Sequence, residues 1–331
     1  MAADQKTHAL AAEIMAGERR ALARAITLVE STRADHRIEA AALLAALGTA
    51  GQGAMRIGLS GTPGVGKSTF IEAFGLYLIE LGLRVAVLAV DPSSTRSGGS
   101  ILGDKTRMDL LSRAPQAFIR PSPSQTVLGG VARRTNESIA LCAAAGFDVV
   151  LVETVGVGQS ETMVAEMTDI FTLLLAPAGG DELQGVKRGI MEVADLILVN
   201  KADGDLAAQA NRTVADYAGA LRLLRKRAQD PEGFPRAMPV SALNGLGISA
   251  AWQAMKTLFD ARDAAGIIAA RRREQALSAF DRMARAALLE LVQGDETIAT
   301  QWAASRAAIA AGSQSPETAL AALLDVARRR I

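Results

Sequence analysis

A glycine-rich stretch that ends in a lysine and a serine carries the clearest chemistry in this sequence. Residues 61–68 have the sequence GTPGVGKS, which fits the phosphate-loop pattern G-x-x-x-x-G-K-[ST]. Glycines let backbone N–H groups approach phosphate oxygens closely, and a helix that starts directly after the loop adds more donors. The stretch therefore predicts binding of a nucleoside triphosphate, with Lys67 as the catalytic residue at the outer phosphates and Ser68 on Mg²⁺. The predicted phosphate-binding residues are Gly61, Gly64, Val65, Gly66, Lys67, Ser68 and Thr69.

A second polar motif indicates which base the nucleotide carries. Residues 200–203 have the sequence NKAD, the N-K-x-D pattern of guanine-specific proteins. The carboxylate of Asp203 only accepts hydrogen bonds, so it can pair with the ring N–H and the exocyclic amine of guanine. Adenine has an acceptor at the matching ring nitrogen and would leave that carboxylate unpaired. We therefore expect GTP and GDP as ligands. The predicted base-recognition residues are Asn200, Lys201 and Asp203, together with Ser241, Ala242 and Leu243, whose backbone N–H groups are expected to contact the guanine oxygen.

Three acidic residues lie at or after the ends of predicted strands and are candidates for a Mg²⁺ site. Mg²⁺ prefers carboxylates, water and phosphate oxygens, so Asp91, Asp104 and Glu153 are predicted to act with Ser68. An ordinary turn or cap role is the alternative for the two aspartates. Glu153 starts the sequence ETVG at the place of the D-x-x-G motif of Ras-type GTPases, where the N–H of Gly156 is expected to contact the γ-phosphate.

These motifs follow strands in a pattern of alternating strands and helices. Continuous apolar runs are typical of parallel strands that helices cover on both faces, and ligands bind at the carboxyl ends of such strands. The predicted fold class is α/β, a P-loop GTPase fold with a mainly parallel central sheet flanked by helices, plus helical N- and C-terminal extensions. The predicted strands are 57–60, 85–90, 117–120, 149–153, 171–176, 196–200 and 238–241.

Helical periodicity on either side of this region predicts three parts. Residues 1–50 form an N-terminal helical extension, 51–260 the GTPase domain and 261–331 a C-terminal helical segment. The C-terminal segment has an apolar stripe opposite charged residues. Such a stripe suits packing on the chain's own core or pairing with a second subunit equally well.

Composition argues against several classes of function. The 331 residues carry a net charge of +1 and no basic tail, so nucleic acid is not an expected partner. Cys142 is the only cysteine, which fits a reducing cytoplasm, and the histidines His8 and His36 form no cluster of the kind that binds zinc or nickel. No uncharged apolar stretch approaches 18 residues, so no membrane span is expected, and the N-terminus is not typical of a secretory signal.

Taken together, the motifs resemble those of the MeaB/ArgK family of P-loop GTPases over about residues 10–270. The segments that carry the resemblance are GTPGVGKST, DPSSTRSGGSILGDKTRM, TVLGGVARRT, VETVGVGQSE, PAGGDELQGVKRGIME and NKAD. The resemblance supports the phosphate, Mg²⁺ and base residues given above. It also implies that Asp181, Gln184 and Lys187 form a further switch, which carries the nucleotide state to a partner enzyme.

The resemblance implies a function as well. Members are homodimeric GTPase chaperones that gate delivery of adenosylcobalamin to methylmalonyl-CoA mutase and protect that enzyme, and their C-terminal helices pair the subunits. Their GTP hydrolysis is slow alone and faster with the partner. Two alternatives stay open, a metal-centre chaperone and a nucleotide-dependent kinase linked to amino-acid transport.

The sequence does not identify the group that activates the attacking water. Gln159 follows Gly156 at an offset that differs from the glutamine of Ras, which disfavours it. Four arginines in the segments DPSSTRSGGSILGDKTRM and TVLGGVARRT are candidates for stabilising charge on the phosphates, with none favoured. They are Arg96, Arg107, Arg133 and Arg134.

Overall fold

A computed structural model describes residues 2–90, 108–121, 128–154, 160–177, 188–224, 227 and 230–330. Within them, seven strands form one sheet in the order β3-β2-β4-β1-β5-β6-β7, and all of its strand pairs are parallel. The strands are β1 (Met55–Gly61), β2 (Val85–Val90), β3 (Ala117–Arg120), β4 (Val149–Thr154), β5 (Ile170–Leu175), β6 (Leu196–Val199) and β7 (Arg236–Pro239). The predicted α/β fold class with a parallel sheet is confirmed.

Helices precede, connect and follow the strands. A short 3₁₀ turn, Gly204–Leu206, lies after β6. The helices are α1 (Ala2–Met15), α2 (Arg19–Glu30), α3 (Ala34–Leu47), α4 (Lys67–Glu80), α5 (Asp109–Arg113), α6 (Leu128–Ala144), α7 (Ser160–Ala165), α8 (Arg188–Val193), α9 (Ala207–Leu223), α10 (Ile248–Ala264), α11 (Ile267–Gly294), α12 (Glu296–Ala310) and α13 (Pro316–Arg330). None of the helices in the described part of the chain combines the length and apolarity needed to cross a membrane.

The apolar runs of the strands form the middle layer of a double core. Every residue of β2, β4, β5 and β6 is buried, because helices cover both faces of the sheet. Successive side chains of a strand point to opposite faces. Leu151 thus joins the core under α4 and α10, whereas Val150 joins the core under the N-terminal helices and α6. Residues of α2 and α3 such as Leu22 and Leu43 are part of that second core, so the N-terminal helices pack directly on the sheet domain.

The strand order sets where a ligand can bind. β1 lies in the middle of the sheet between β4 and β5, and the chain leaves β1 towards β2 but later returns to the other side at β5. A change of direction of this kind opens a crevice at the carboxyl ends of the strands. The glycine-rich loop follows β1 at that crevice.

The last strand lies two residues before its predicted position of 238–241. β7 ends at Pro239, although the N–H of Val240 still donates to the carbonyl of Val199 at 2.8 Å. The N–H of Ser241 then bonds the carbonyl of Leu246 at 2.8 Å. This turn ends the strand and brings residues 241–243, which we call the fifth-motif segment, to the sheet edge.

Buried ion pairs hold the opposite edge, where the strands begin. Asp169 directly precedes β5 and pairs with Arg272 of α11 at 2.6 Å. Asp195 directly precedes β6 and pairs with Arg262 of α10 at 2.7 Å, and Asp230 accepts from the same guanidinium at 2.7 Å. α10 and the first turns of α11 are thereby fixed to the amino ends of β5 and β6.

By packing, the chain divides into two compact units, Met1–Gln275 and Ala276–Ile331. In the second unit α12 packs on α13. The carboxylate of Asp295 caps α12 by accepting from the N–H groups of Thr297 and Ile298 at 2.9 and 3.1 Å. The three-part division given by the sequence stays a prediction.

Candidate nucleotide-binding site

The glycine-rich loop connects the end of β1 at Gly61 to the start of α4 at Lys67. Gly64 and Gly66 have φ angles of +80° and +89°, in the left-handed region that favours glycine. A Cβ atom on Gly66 would also lie 2.8 Å from Nδ2 of Asn200. Glycine is therefore required at this position both by the backbone angle and by the close approach of the NKAD segment.

Asn200 connects the phosphate loop to the two base-recognition segments. Its buried side chain donates from Nδ2 to the carbonyl of Val65 at 2.9 Å and accepts at Oδ1 from the N–H of Ala242 at 3.1 Å. Its backbone N–H donates to the carbonyl of Leu175 at the end of β5 at 2.8 Å. One side chain thus fixes the distance between the segments predicted for the phosphates and for the base.

Lys201 adds a second connection between the same segments. Its ammonium donates to the carbonyl of Gly64 at 2.8 Å, so its aliphatic stem extends from the NKAD segment to the phosphate loop. Its φ of +59° is the only positive value among the described non-glycine residues. A left-handed residue with a side chain costs about 1–2 kcal/mol. Strain of this kind is typical of functional sites, where the surrounding structure maintains it.

A cleft of about 310 Å³ lies between these segments. Its residues are Gly66, Thr69, Asn200, Lys201, Asp203, Leu206, Ser241, Ala242 and Leu243. The volume falls within the range of roughly 300–1,000 Å³ that is usual for small-molecule sites. The structure thus brings all six predicted base-recognition residues to one cleft, beside two residues of the phosphate loop.

Hydrogen bonds around the fifth-motif segment indicate which backbone group faces the ligand. The N–H of Ser241 bonds Leu246, and the N–H of Ala242 bonds Asn200. Among the described residues, the N–H of Leu243 has no acceptor. Leu243 is therefore the member of this segment whose backbone donor is available for a guanine oxygen.

Lys67 lies over the loop that it follows. Its ammonium donates to the carbonyls of Gly61 at 2.6 Å and Thr62 at 3.3 Å. Burial lowers the pKa of Lys67, and the negative charges of Glu153 and Glu161 oppose this decrease. The ammonium thus contacts the loop backbone and is within electrostatic reach of two carboxylates, where it can offset phosphate charge.

Two of the predicted Mg²⁺ residues lie within the described part of the chain. Glu153 is buried near the end of β4, in register with Leu59 of β1 and Ala89 of β2, and Ser68 is half-buried in the first turn of α4. A carboxylate and a hydroxyl at the edge that carries the phosphate loop are hard oxygen donors of the kind Mg²⁺ prefers. The described residues contain no cluster of three or more His, Cys, Asp or Glu side chains able to hold a metal.

Several predicted residues lie outside the described ranges. They are Asp91, Asp104, Gly156, Gln159, Asp181, Gln184, Lys187, Arg96 and Arg107.

Comparison with known proteins identifies the family. Residues 22–297 match the profile of the family described as methylmalonyl Co-A mutase-associated GTPase MeaB. This chain belongs to the MeaB family. The resemblance seen in the motifs is confirmed, and membership makes the chain a GTPase and implies that it binds guanine nucleotides.

Individual relatives agree with this assignment. The chain is 53% identical over 272 residues to the mouse protein named methylmalonic aciduria type A homolog, mitochondrial, which covers 79% of this chain and 65% of the relative. It is 46% identical over 304 residues to GTPase ArgK of Escherichia coli K12, covering 92% and 91% of the two chains. A crystal structure of a protein named LAO/AO transport system kinase matches with a TM-score of 0.77 and 38% identity, over 98% of each chain.

Two residues of this MeaB-family site were not identified from the sequence. Leu206 lines the base cleft from the 3₁₀ turn after Asp203 and is partly exposed there. In the sequence it is only an apolar residue three positions after the NKAD motif, which does not mark it as part of a binding site. Glu161 is buried and acts electrostatically on Lys67. The sequence did contain a signal for Glu161, because this residue ends VETVGVGQSE, one of the segments that carry the family resemblance.

We expect Lys67→Ala to reduce GTP turnover at saturating GTP and Mg²⁺ by roughly 10²- to 10³-fold, the usual effect of removing one donor to developing charge. Phosphate release measures the effect. Lys256→Ala is the matched control, because Lys256 lies on the surface of α10 and pairs only locally with Asp260. Unchanged hydrolysis by Lys67→Ala would refute the assignment of the phosphate site.

Proposed function

We propose that this GTPase is a chaperone that gates delivery of adenosylcobalamin to methylmalonyl-CoA mutase and protects that enzyme from inactivation. The main support is the match to a family described as associated with the mutase. The cleft in which Asn200 joins the phosphate loop to the base-recognition segments supports the nucleotide part of the proposal. A cytoplasmic location, which the single cysteine favours, belongs to the same proposal.

In the proposed reaction, water attacks the γ-phosphate of GTP in line with the leaving GDP. Asp203 orients the nucleotide through its base, and the ammonium of Lys67 offsets the charge that develops on the phosphate oxygens. Ser68 and Glu153 would hold Mg²⁺ together with Asp91 and Asp104. When bound, Mg²⁺ supplies further positive charge at the phosphates.

The proposed route to the partner starts at β5. Gly61 lies in register with Leu174, and a Cβ on Gly61 would lie only 2.3 Å from the carbonyl oxygen of Leu174. The end of β5 is thus in close contact with the start of the phosphate loop. This contact supports the proposal that the segment after β5, with Asp181, Gln184 and Lys187, responds to the nucleotide.

The first test is GTP turnover of the purified chain with and without methylmalonyl-CoA mutase. We expect the mutase to accelerate hydrolysis by about tenfold or more, since partners that complete the charge stabilisation accelerate other GTPases much further. Lys67→Ala under the same conditions controls for contaminating activity. Hydrolysis of GTP without any acceleration would preserve the GTPase and reject the mutase as client.

The same preparation distinguishes the two alternatives. Transfer of the γ-phosphate from GTP to a protein, rather than to water, would favour the kinase. One tightly bound transition metal ion per purified chain would favour the metal-centre chaperone.

We propose that the helices of 261–331 pair two subunits. Four large apolar side chains of α11, Leu277, Phe280, Leu288 and Leu291, are 61–73% exposed, and exposed apolar stripes typically mark interfaces. We expect sedimentation to give twice the 34.5 kDa mass of the chain, and Leu288→Glu to give the single mass. A monomeric wild-type chain would reject the pairing.

A further inference from the structure

A second, smaller cavity lies beside β2 and β3, apart from the base cleft. It has a volume of about 30 Å³ and lies between α2, α6 and the carboxyl ends of the two strands, partly open to solvent. Ala89 and Arg120 line it from the strands, Glu30 from α2, and Arg134 and Ser138 from α6. Three of the eight residues that line it are charged, although charged residues are rarely buried.

One side-chain nitrogen of Arg134 lacks a hydrogen-bond partner among the described residues. Arg134 is only 9% exposed, and its Nε is buried without a hydrogen-bond acceptor among the residues that the structure describes. An unpaired buried donor is unfavourable, and more so when it is charged. Buried polar groups in folded proteins are nearly always paired, so an arginine that lines a cavity and lacks an acceptor at Nε among the described residues is a candidate for binding an added acceptor.

The nearby carboxylates are already paired with other arginines. Glu30 accepts from Arg120 at both of its oxygens, with Nε 3.1 Å from Oε1. Glu137 lies 3.6 Å from Arg133. Burial and the charge of Arg133 lower the pKa of Arg134, and the two glutamates oppose this only in part. The cavity therefore contains positive charge that these carboxylates do not fully compensate.

We propose that this cavity binds a small carboxylate, with its two oxygens facing the guanidinium of Arg134. A guanidinium presents a planar fork of N–H donors that matches a carboxylate, and Ser138 adds a buried hydroxyl donor. The hydroxyl of Thr135 donates instead to the carbonyl of Val131 at 2.9 Å. One water needs at least about 10–15 Å³, so the cavity admits a ligand of only a few heavy atoms, such as formate.

The location gives the site a connection to the nucleotide. Ala89 lines the cavity and lies in register with Glu153, the buried carboxylate near Lys67. A ligand in the cavity thus sits one strand away from the proposed Mg²⁺ site. The inference itself does not depend on the proposed function, because it concerns binding to a different group of residues.

The test is calorimetric titration of the full-length chain with sodium formate at constant ionic strength. We expect saturable binding at one site per chain, weakened at least about tenfold by Arg134→Gln, because the variant loses the charged hydrogen bonds to the ligand. Arg133→Gln is the matched control. It removes the same group from the neighbouring residue, which does not line the cavity, and should keep the affinity within about twofold of the wild-type value.

A second variant covers the case in which Arg134→Gln fails to fold. Ser138→Val keeps Arg134 but places a branched apolar side chain in the cavity, so we expect it to abolish formate binding while the melting temperature stays close to that of the wild type. The proposal is overturned if the wild-type chain shows no saturable binding up to about 100 mM formate. This concentration is far above the millimolar dissociation constants usual for weak ligands. Equal weakening by both arginine variants, or binding of inorganic phosphate but not of formate, would overturn it as well.

Discussion

Asp203→Asn is expected to weaken GTP binding by about 3–6 kcal/mol, roughly 10²- to 10⁴-fold, and to strengthen binding of XTP. Asp203 lines the base cleft, where its carboxylate can accept from both N–H donors on one edge of guanine. Each hydrogen bond to a charged group contributes about 1.5–3 kcal/mol. An asparagine amide keeps one acceptor but turns a donor towards the guanine amine. Xanthine has a carbonyl oxygen at that position and so matches the amide.

The measurement is displacement of a fluorescent nucleotide by GTP, XTP and ATP. Asp205→Asn is the matched control, because Asp205 is an exposed residue of the 3₁₀ turn that follows Asp203 and does not line the cleft. We expect the control to keep the order of nucleotide preference of the wild type. If Asp203→Asn retains full preference for GTP over XTP and ATP, the carboxylate does not recognise the base.

The sheet and its position could be predicted because their signals are local. The strand 149–154 begins with four apolar residues in a row, and such a run in a parallel sheet is buried on both faces whatever its neighbours are. The motif at 200–203 is equally local, so its position at a strand end followed from the sequence. Its base preference followed from the chemistry of one carboxylate.

The role of Asn200 shows where local signals end. The sequence predicts Asn200 only as a residue that recognises the base. In the structure its two ends bond Val65 and Ala242, and the contact to Val65 spans 135 residues of chain. Neither partner contributes a side-chain group to these bonds, so no residue type in the sequence marked them. Leu206 was missed for the same reason, because its place in the cleft depends on how the 3₁₀ turn packs.

The ion pairs at the amino ends of the strands could not be predicted from the sequence either. Asp195 and Arg262 are 67 residues apart, and each is of a charged residue type that usually lies on the surface. Their burial arises only when α10 packs under the sheet and excludes water from both groups. A charge buried in this way is costly unless it is paired, so removing one partner of the pair is expected to destabilise the fold.

We expect Asp195→Ala to lower the free energy of unfolding by about 3–5 kcal/mol, the usual cost of removing one partner of a buried pair. The Asp195 side chain is fully buried, accepts from the N–H of Phe171 at 2.7 Å and pairs with both Arg262 and Arg227. Without it, Arg262, whose side chain is 3% exposed, keeps the carboxylate of Asp230 and the carbonyl of Asp169, at 2.7 and 3.2 Å. Urea denaturation at fixed protein concentration measures the change.

The matched control is Asp260→Ala, which breaks the exposed pair of Asp260 with Lys256 on α10 and should cost at most about 0.5 kcal/mol. Burial opposes ionisation of Asp195, but Arg262 and Arg227 hold its pKa below the ordinary value. A lowered folded pKa stabilises the protein above the unfolded pKa of about 4, and this contribution is lost as the pH falls through the folded value. The difference between wild type and Asp195→Ala should therefore be complete at neutral pH and shrink in acid. A difference of less than about 1 kcal/mol at neutral pH would mean that the arginines are satisfied without Asp195.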